Sequence, residues 1–290
     1  MTDKLHLNGD RRSEVLIQAI PYIQRFAGET VVIKYGGHAM VDQALMEDVM
    51  KDLVLLQLVG IRIIVVHGGG PFITEALQKM GKEPVFVDGL RVTDEETMKI
   101  VQMVLAGEVN KKLVQNIEQL GGRAIGLCGI DGNMLVAEKL QQEKDLGLVG
   151  RITEVNHDLP VDSMDKGYIC VIASVANSRE RNVVYNINAD IAAAEIARSV
   201  GAMKLILMTD VLGVMKDPQD PSTLLQQIRA EDIPQLKETG VITGGMIPKL
   251  DCCTSAIQSG VQQAHIIDGT KKHSLLIELL TDEGIGTMIY

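Results

Sequence analysis

The run Thr30 to Met40, TVVIKYGGHAM, constrains the fold of this chain more than any other part of it. Val31, Val32 and Ile33 are apolar without alternation, the mark of a strand buried on both faces of a parallel sheet. Lys34 follows, and Gly36 and Gly37 stop the strand in a tight turn, so a cation and exposed backbone N–H groups come together at one end. Arg62 to His67, RIIVVH, repeats the plan and runs into Gly68, Gly69, Gly70 and Pro71 before a helix that begins near Phe72. Between the two, Gln43 to Val59 sets acids against Leu45, Val49, Leu53, Leu56 and Val59, the pattern of an amphipathic helix. Two successive strand, glycine-turn and helix units call for an α/β architecture. Both turns then face the carboxyl edge of the sheet, where such folds bind ligands.

The rest of the chain extends this reading. Leu16, Ile17, Ile20, Ile23 and Phe26 follow a helical period from Ser13 to Phe26, and Pro21 inside it predicts a kink. This helix has no obvious place in the sheet; it packs on its own subunit or reaches to another. Val85 to Val92 reads as a hairpin turning at Asp88-Gly89. Arg91, just past that turn, either clamps a carboxylate through its planar fork or lies on the surface. Thr93 and Asp94 cap a helical region to about Leu120, interrupted at Gly107, and Arg123 to Leu127 and Tyr168 to Ala173 read as core strands. Met134 to Val155 reads as surface hairpins over the ligand edge. Asn188 caps a helix with Asp190 in its first turn; the strand KLILM then exits at Thr209-Asp210 on the same edge. Gly244 and Gly245 precede a helix with Lys249 one turn in, and Ala264 to Ile267, His273 to Leu280 and Thr287 to Ile289 close the chain as strand, helix and strand.

Composition removes several classes of function. The 290 residues are 46% hydrophobic, enough for a full core in one domain or two lobes. A net charge of -10 argues against a nucleic-acid groove, so any anionic ligand must be held by local positive charge. The longest apolar stretch, Leu53 to Val66, is broken by Gln57 and Arg62, and the N-terminus shows no leader pattern; the expectation is a soluble cytoplasmic protein without a membrane partner. Cys128, Cys170, Cys252 and Cys253 show no metal-ligand spacing and read as reduced core or helix residues. H-G-G-G-P lacks the dinucleotide spacing G-x-G-x-x-G, and no Walker A loop occurs.

The candidate edge thus offers Lys34, Lys249, Arg91, asparagines, Asp190 and many backbone donors, but no convincing general base. His38 and His67 lie near the turns without an acid partner or nucleophile at a recognisable spacing and read as structural. Attack of a carboxylate on a nucleoside triphosphate fits this inventory, because it joins two anions and needs no base.

In order, VIKYGG, VVHGGGP, GLRVT, NINAD, TDVLGV and GGMIPKL resemble the amino acid kinase family, most closely its N-acetylglutamate kinases, from about Thr30 to the C-terminus. The resemblance implies a three-layer α/β/α sandwich around a largely parallel sheet. It also implies an N-terminal arm (1–28), an acetylglutamate-binding and dimerisation lobe (29–180) and an ATP-binding lobe (181–290). The implied reaction is ATP-dependent phosphorylation of the side-chain carboxylate of N-acetyl-L-glutamate, a step of arginine biosynthesis. Lys34 and Lys249 would stabilise the transferring group, Asp190 would hold both lysines, and Gly37 and Gly69 would donate N–H groups to it. Gly69, Gly70, Arg91 and Asn186 would bind acetylglutamate; Asp210, Val211, Leu212, Gly213, Val214 and Met215 would line the ATP site. Mg2+ would enter with ATP, without protein ligands of its own. The arm also resembles that of arginine-inhibited members, which implies Tyr22, His273, Glu278 and Gly286 as arginine-site residues and a hexamer built from three dimers. That ring leaves room for a nitrogen-signalling protein. A kinase for a related aminoadipate derivative, or a catalytically silent arginine sensor, stands as the alternative.

Overall fold

The computed structural model describes residues 9–180 and 182–290, less the side chains of Arg12 and His38. Residues 1–8 of the expected arm, and the reading of His38, lie outside them.

The strands are β1 (Thr30–Tyr35), β2 (Arg62–His67), β3 (Phe86–Val87), β4 (Leu90–Arg91), β5 (Ala124–Cys128), β6 (Leu135–Lys139), β7 (Gly150–Val155), β8 (Ile169–Ala173), β9 (Val175–Ser178), β10 (Val184–Asn186), β11 (Lys204–Thr209), β12 (Gln227–Ile228), β13 (Gln263–Asp268) and β14 (Thr287–Ile289). An eight-stranded sheet takes the order β12-β14-β13-β11-β1-β2-β8-β5. It is parallel from β5 through β13; β14 runs antiparallel to β13, and the edge strand β12 runs parallel to β14. The order reverses direction between β1 and β11, which places a ligand-binding crevice at the carboxyl ends of those two central strands.

The unalternating apolar runs explain this centre. Val31, Ile33 and Tyr35 enter the core on one face, while Val32 enters the core on the other; Ile63 and Val65 part from Ile64 and Val66 in the same way. Each buried side chain of this size contributes about 1.5–3 kcal/mol, so one polar residue in β1 would damage both layers. The helices are α1 (Gly9–Gln18), α2 (Ile20–Phe26), α3 (Gln43–Leu58), α4 (Gly70–Lys79), α5 (Glu95–Gln102), α6 (Asn110–Gln119), α7 (Asp158–Asp165), α8 (Ala189–Ser199), α9 (Ile233–Glu238), α10 (Met246–Gln258) and α11 (Ser274–Leu280). α3 to α6 and α11 cover one face; α7 to α10 cover the other.

Several local expectations meet the structure closely. Asp88 (φ 50°) and Gly89 (φ 80°) turn the β3–β4 hairpin in left-handed conformations. Asp42, Asp94 and Asn188 cap α3, α5 and α8 through their side chains. Others shift. The arm breaks at Ala19, two residues before Pro21, because proline offers no N–H to the preceding turn and sits instead in the first turn of α2. No interruption occurs at Gly107: Met103–Val109 continues the helix in wider π-type turns, held by the burial of Val104, Leu105 and Val109. The Met134 to Val155 region is part of a second sheet, order β10-β9-β6-β7, not separate surface hairpins. All four cysteines are free, and among the described residues no helix is long and apolar enough to cross a membrane.

Candidate active site

Three elements converge at the carboxyl end of β1. Lys34 is on the strand itself, Asp190 in the first turn of α8 and Lys249 in the first turn of α10. Lys34 Nζ lies 3.1 Å from Asp190 Oδ1, and Lys249 Nζ lies 2.6 Å from Oδ2. Asp190 is fixed by its helix: Asn188 Oδ1 accepts the N–H groups of Asp190 at 2.8 Å and Ile191 at 3.2 Å, so α8 begins there. Burial pushes the Asp190 carboxyl up, but the two ammonium groups reverse this and hold it below the usual carboxylate range. Two cations around one carboxylate leave a net positive charge, which an anionic ligand can share.

The glycine turns bring backbone close to this cluster. Gly37 has φ 71°, a left-handed conformation, and a Cβ there would strike the carboxylate of Asp210 at the end of β11. A Cβ on Gly69 would come within 2.6 Å of Leu105 Cδ2 on the π-type segment. Gly37 is held to glycine by its left-handed backbone, whereas a side chain at Gly69 would have to displace Leu105.

Gly69, Gly70, Arg91 and Asn186, the expected substrate residues, line one cavity of about 170 Å³, with Ser174 and Asn188 on its wall. Arg91 is 7% exposed and stacks on Phe86, 4.7 Å from the ring centroid. Its Nη2 donates to Gly70 O and Thr74 Oγ1, each at 2.9 Å, while Nη1 is buried with no hydrogen-bond partner. Burial pulls its pKa down, and among the described residues no carboxylate pairs with it. A buried guanidinium with a spare donor on a cavity wall suits a carboxylate ligand. Asn186 is held beside it by a 3.2 Å bond from its Nδ2 to Thr93 Oγ1.

A second cleft, about 470 Å³, opens on the other side of the cluster. Asp210, Val211, Gly213, Val214 and Met215 line it, together with Lys34, Gly37 and Lys249; Leu212 is not on its wall. A third space of about 640 Å³ shares Gly245 and Lys249 with the cleft and Gly89, Leu90 and Asn188 with the Arg91 cavity. Lys34 and Lys249 line the cleft, and Asp190 and Lys249 line the third space, which borders the Arg91 cavity through Gly89, Leu90 and Asn188. Among the described residues no cluster of three or more His, Cys, Asp or Glu could hold a metal.

The expected arginine residues do not all meet. Tyr22, Glu278 and Gly286 line a separate cavity of about 300 Å³ under α2 and α11. His273 lies elsewhere, pairing with buried Asp52 of α3 at 2.6 Å. Arg25, Lys204 and His265 join the cavity wall instead. His265 Nδ1 is 2.7 Å from Glu278 Oε1; burial pushes Glu278 up, and His265, the Ile285 N–H and Lys204 bring it below its usual range. Burial lowers Lys204 to about 8. Lys204 and His265 carried a signal in the sequence, since each interrupts an apolar strand run, but that signal does not say what the polar group faces. Ser174 carried none.

The family model described as the amino acid kinase family matches residues 29–268. An acetylglutamate kinase of Clostridium kluyveri is 54% identical over 284 residues, spanning 98% of this chain and 100% of that protein. One from Thermoanaerobacter pseudethanolicus is 52% identical over 278 residues, 96% of this chain and 93% of that protein. Among solved structures, N-acetylglutamate synthase from Neisseria gonorrhoeae superposes with a TM-score of 0.83 at 26% identity; 96% of this chain covers 63% of that one, less than two-thirds of its length. Carbamate kinase from Giardia lamblia gives a TM-score of 0.68 at 19% identity, over 91% of this chain and 99% of that one, a likeness of fold.

Proposed function

This chain belongs to the amino acid kinase family, and we propose that it transfers the γ-phosphoryl group of ATP to the side-chain carboxylate of N-acetyl-L-glutamate, a step in arginine biosynthesis. The observation that carries the proposal is the Lys34–Asp190–Lys249 cluster, whose lysines line the cleft and whose Asp190 and Lys249 line the space bordering the Arg91 cavity. ATP occupies the cleft lined by Asp210, Val211 and Gly213 to Met215, with its phosphates toward Lys34 and Lys249. Acetylglutamate occupies the Arg91 cavity, with its α-carboxylate on the free Nη1 donor. A side-chain oxygen attacks the γ-phosphorus; the O–P bond forms as the bond to the β-bridging oxygen breaks, and ADP leaves. The carboxylate is already ionised, so no general base is required, in keeping with the lack of one at the edge. Lys34, Lys249 and the N–H groups of Gly37 and Gly69 meet the charge on the equatorial oxygens, and Asp190 keeps the two ammonium groups oriented. A magnesium ion brought by the nucleotide would supply further neutralisation, with the phosphates and waters as its ligands, since the cleft-lining Lys34 and Lys249 can supply none.

The product is an acyl phosphate, which hydroxylamine converts to a hydroxamate. Incubation with ATP, magnesium, N-acetyl-L-glutamate and hydroxylamine should yield hydroxamate in step with ADP. ADP without hydroxamate would mean hydrolysis, and neither product would leave no kinase.

The same reading extends to assembly and control. Residues 29–180 form the acetylglutamate and dimerisation lobe and 181–290 the ATP lobe, in a cytoplasmic homo-oligomer. Val15, Leu16, Ile17 and Ile20 are exposed apolar side chains on the arm, which supports pairing with other copies in a ring of three dimers. Tyr22, Arg25 and Phe26 of α2 line the Glu278 cavity, so the arm and that cavity are continuous. Arginine inhibits by placing its guanidinium on Glu278.

A further inference from the structure

His67, the last residue of β2, is fully buried, and both of its ring nitrogens are engaged. Nδ1 is 2.8 Å from Gly68 O. A carbonyl can only accept, so Nδ1 carries the proton and Nε2 is left as an acceptor. Asn110 meets that need, with Nδ2 3.1 Å from Nε2. Asn110 is itself completely buried and tied down: its two Nδ2 hydrogens are shared, one of them bifurcated, among His67 Nε2, Val171 O at 2.9 Å and Leu127 O at 3.1 Å, and Oδ1 accepts from Lys111 Nζ at 3.1 Å. Lys111 Nζ bonds Gly126 O at 3.0 Å. Burial pushes the His67 imidazole down to about 4, so the ring is neutral and this one tautomer persists at working pH. A neutral ring with both nitrogens spent is no catalytic base.

The far end of this chain is the peptide between Gly68 and Gly69. That peptide is planar, so holding the Gly68 carbonyl inward turns the Gly69 N–H the opposite way. No backbone carbonyl among the described residues takes the Gly69 N–H. Glycine on both sides would otherwise leave this peptide free to rotate. The π-type segment joins in twice, placing Leu105 against Gly69 and delivering Asn110 at its end.

We propose that His67 and Asn110 are positioning residues for phosphoryl transfer, locking the Gly68–Gly69 peptide so that the Gly69 N–H is aimed at the transferring group before substrates arrive. The inference rests on the kinase reading above and adds to it the reason for a histidine before the glycines. An oriented donor needs no rearrangement in the transition state, and a misplacement of about 1 Å can cost about 10²-fold in rate.

The test exploits the shape of the imidazole. His67→Asn puts an amide nitrogen near the position of Nδ1, and His67→Gln puts one near Nε2. The inference expects His67→Gln to lose about 10²-fold in kcat with KM for ATP unchanged, and His67→Asn to recover most of that loss. Binding of ADP with aluminium fluoride and N-acetyl-L-glutamate should weaken with kcat in the glutamine variant, while binding of ADP alone should not. Asn110→Ser is the second variant, which releases Nε2 and should show the same split less severely. Equal losses in His67→Asn and His67→Gln, or kcat losses that merely track thermal midpoint, would overturn the positioning role. Absence of turnover in the unmodified enzyme would instead remove the kinase reading on which it stands.

Discussion

Replacing Asp190 by asparagine keeps the shape of the cluster and removes its only negative charge. At an effective dielectric near 20, the separations of 3.1 Å and 2.6 Å correspond to gross attractions of about 5 and about 6 kcal/mol. Much of this offsets the desolvation of three groups whose side chains are 13%, 12% and 23% exposed for Asp190, Lys34 and Lys249. What remains is the penalty of leaving partly buried cations unpaired, about 3–5 kcal/mol. Urea unfolding of Asp190→Asn, at pH 7 without ligand, should therefore give a stability lower by about that amount. Adding Lys249→Met to Asp190→Asn should raise stability again, because it removes a charge that no longer has a partner. Turnover should not follow: kcat should fall about 10²- to 10³-fold in Asp190→Asn and remain low in the double variant. A stability change under about 1 kcal/mol, or a double variant less stable than Asp190→Asn, would refute the idea that Asp190 neutralises and orients the lysines.

Arg91→Lys should raise KM for N-acetyl-L-glutamate about 10- to 100-fold, the loss of a charge-assisted bond and the stacked fork, with KM for ATP unchanged; equal shifts in both would place Arg91 outside the substrate cavity. Glu278→Ala should shift the arginine concentration for half-inhibition upward by about 10-fold or more, and deletion of residues 1–26 should abolish inhibition and leave dimers in sedimentation; unchanged sensitivity in either would remove the proposed effector site. Acid stability tests the buried histidine. Because the folded value of His67 is pushed from the usual 6.5 down to about 4, the unfolded chain binds the proton first, and stability present above about 6.5 is lost as pH falls toward 4. Unmodified protein should lose about 3 kcal/mol more than His67→Asn between pH 7 and pH 4; parallel curves would contradict a neutral buried ring. Comparing the two cancels groups that titrate in both, including Asp52, which burial raises to about 6 and whose effect has the opposite sign.

The sheet and its edge were legible because β1 and β2 announce themselves twice, by unbroken apolar runs and by the glycines that stop them. Caps such as Asn188 and the Asp88-Gly89 turn were legible for the same reason, since each is local chemistry. Asp190 was placed in a first turn by its sequence, but its distance to two lysines depends on β1, α8 and α10 meeting, which no local pattern states. Gly107 shows propensity yielding to packing: buried neighbours carry the helix through it. His273 lies apart from the Glu278 cavity for a related reason, because its αL conformation at the start of α11 (φ 55°) accompanies its pairing with Asp52, and Lys204 and His265 are delivered to that cavity by strands paired in the sheet. The sequence around His67 shows it no partner. Its partner, Asn110, arrives from the first residue of α6, 43 positions along the chain.

The most direct test of the central claim is ATP-dependent ADP release with magnesium, comparing N-acetyl-L-glutamate, free glutamate and N-acetyl-aminoadipate, in unmodified protein and in Lys34→Ala and Lys249→Ala. The account predicts turnover with N-acetyl-L-glutamate, little with the other two, and loss of that turnover in both lysine variants. Preference for N-acetyl-aminoadipate, or full activity without either lysine, would contradict it.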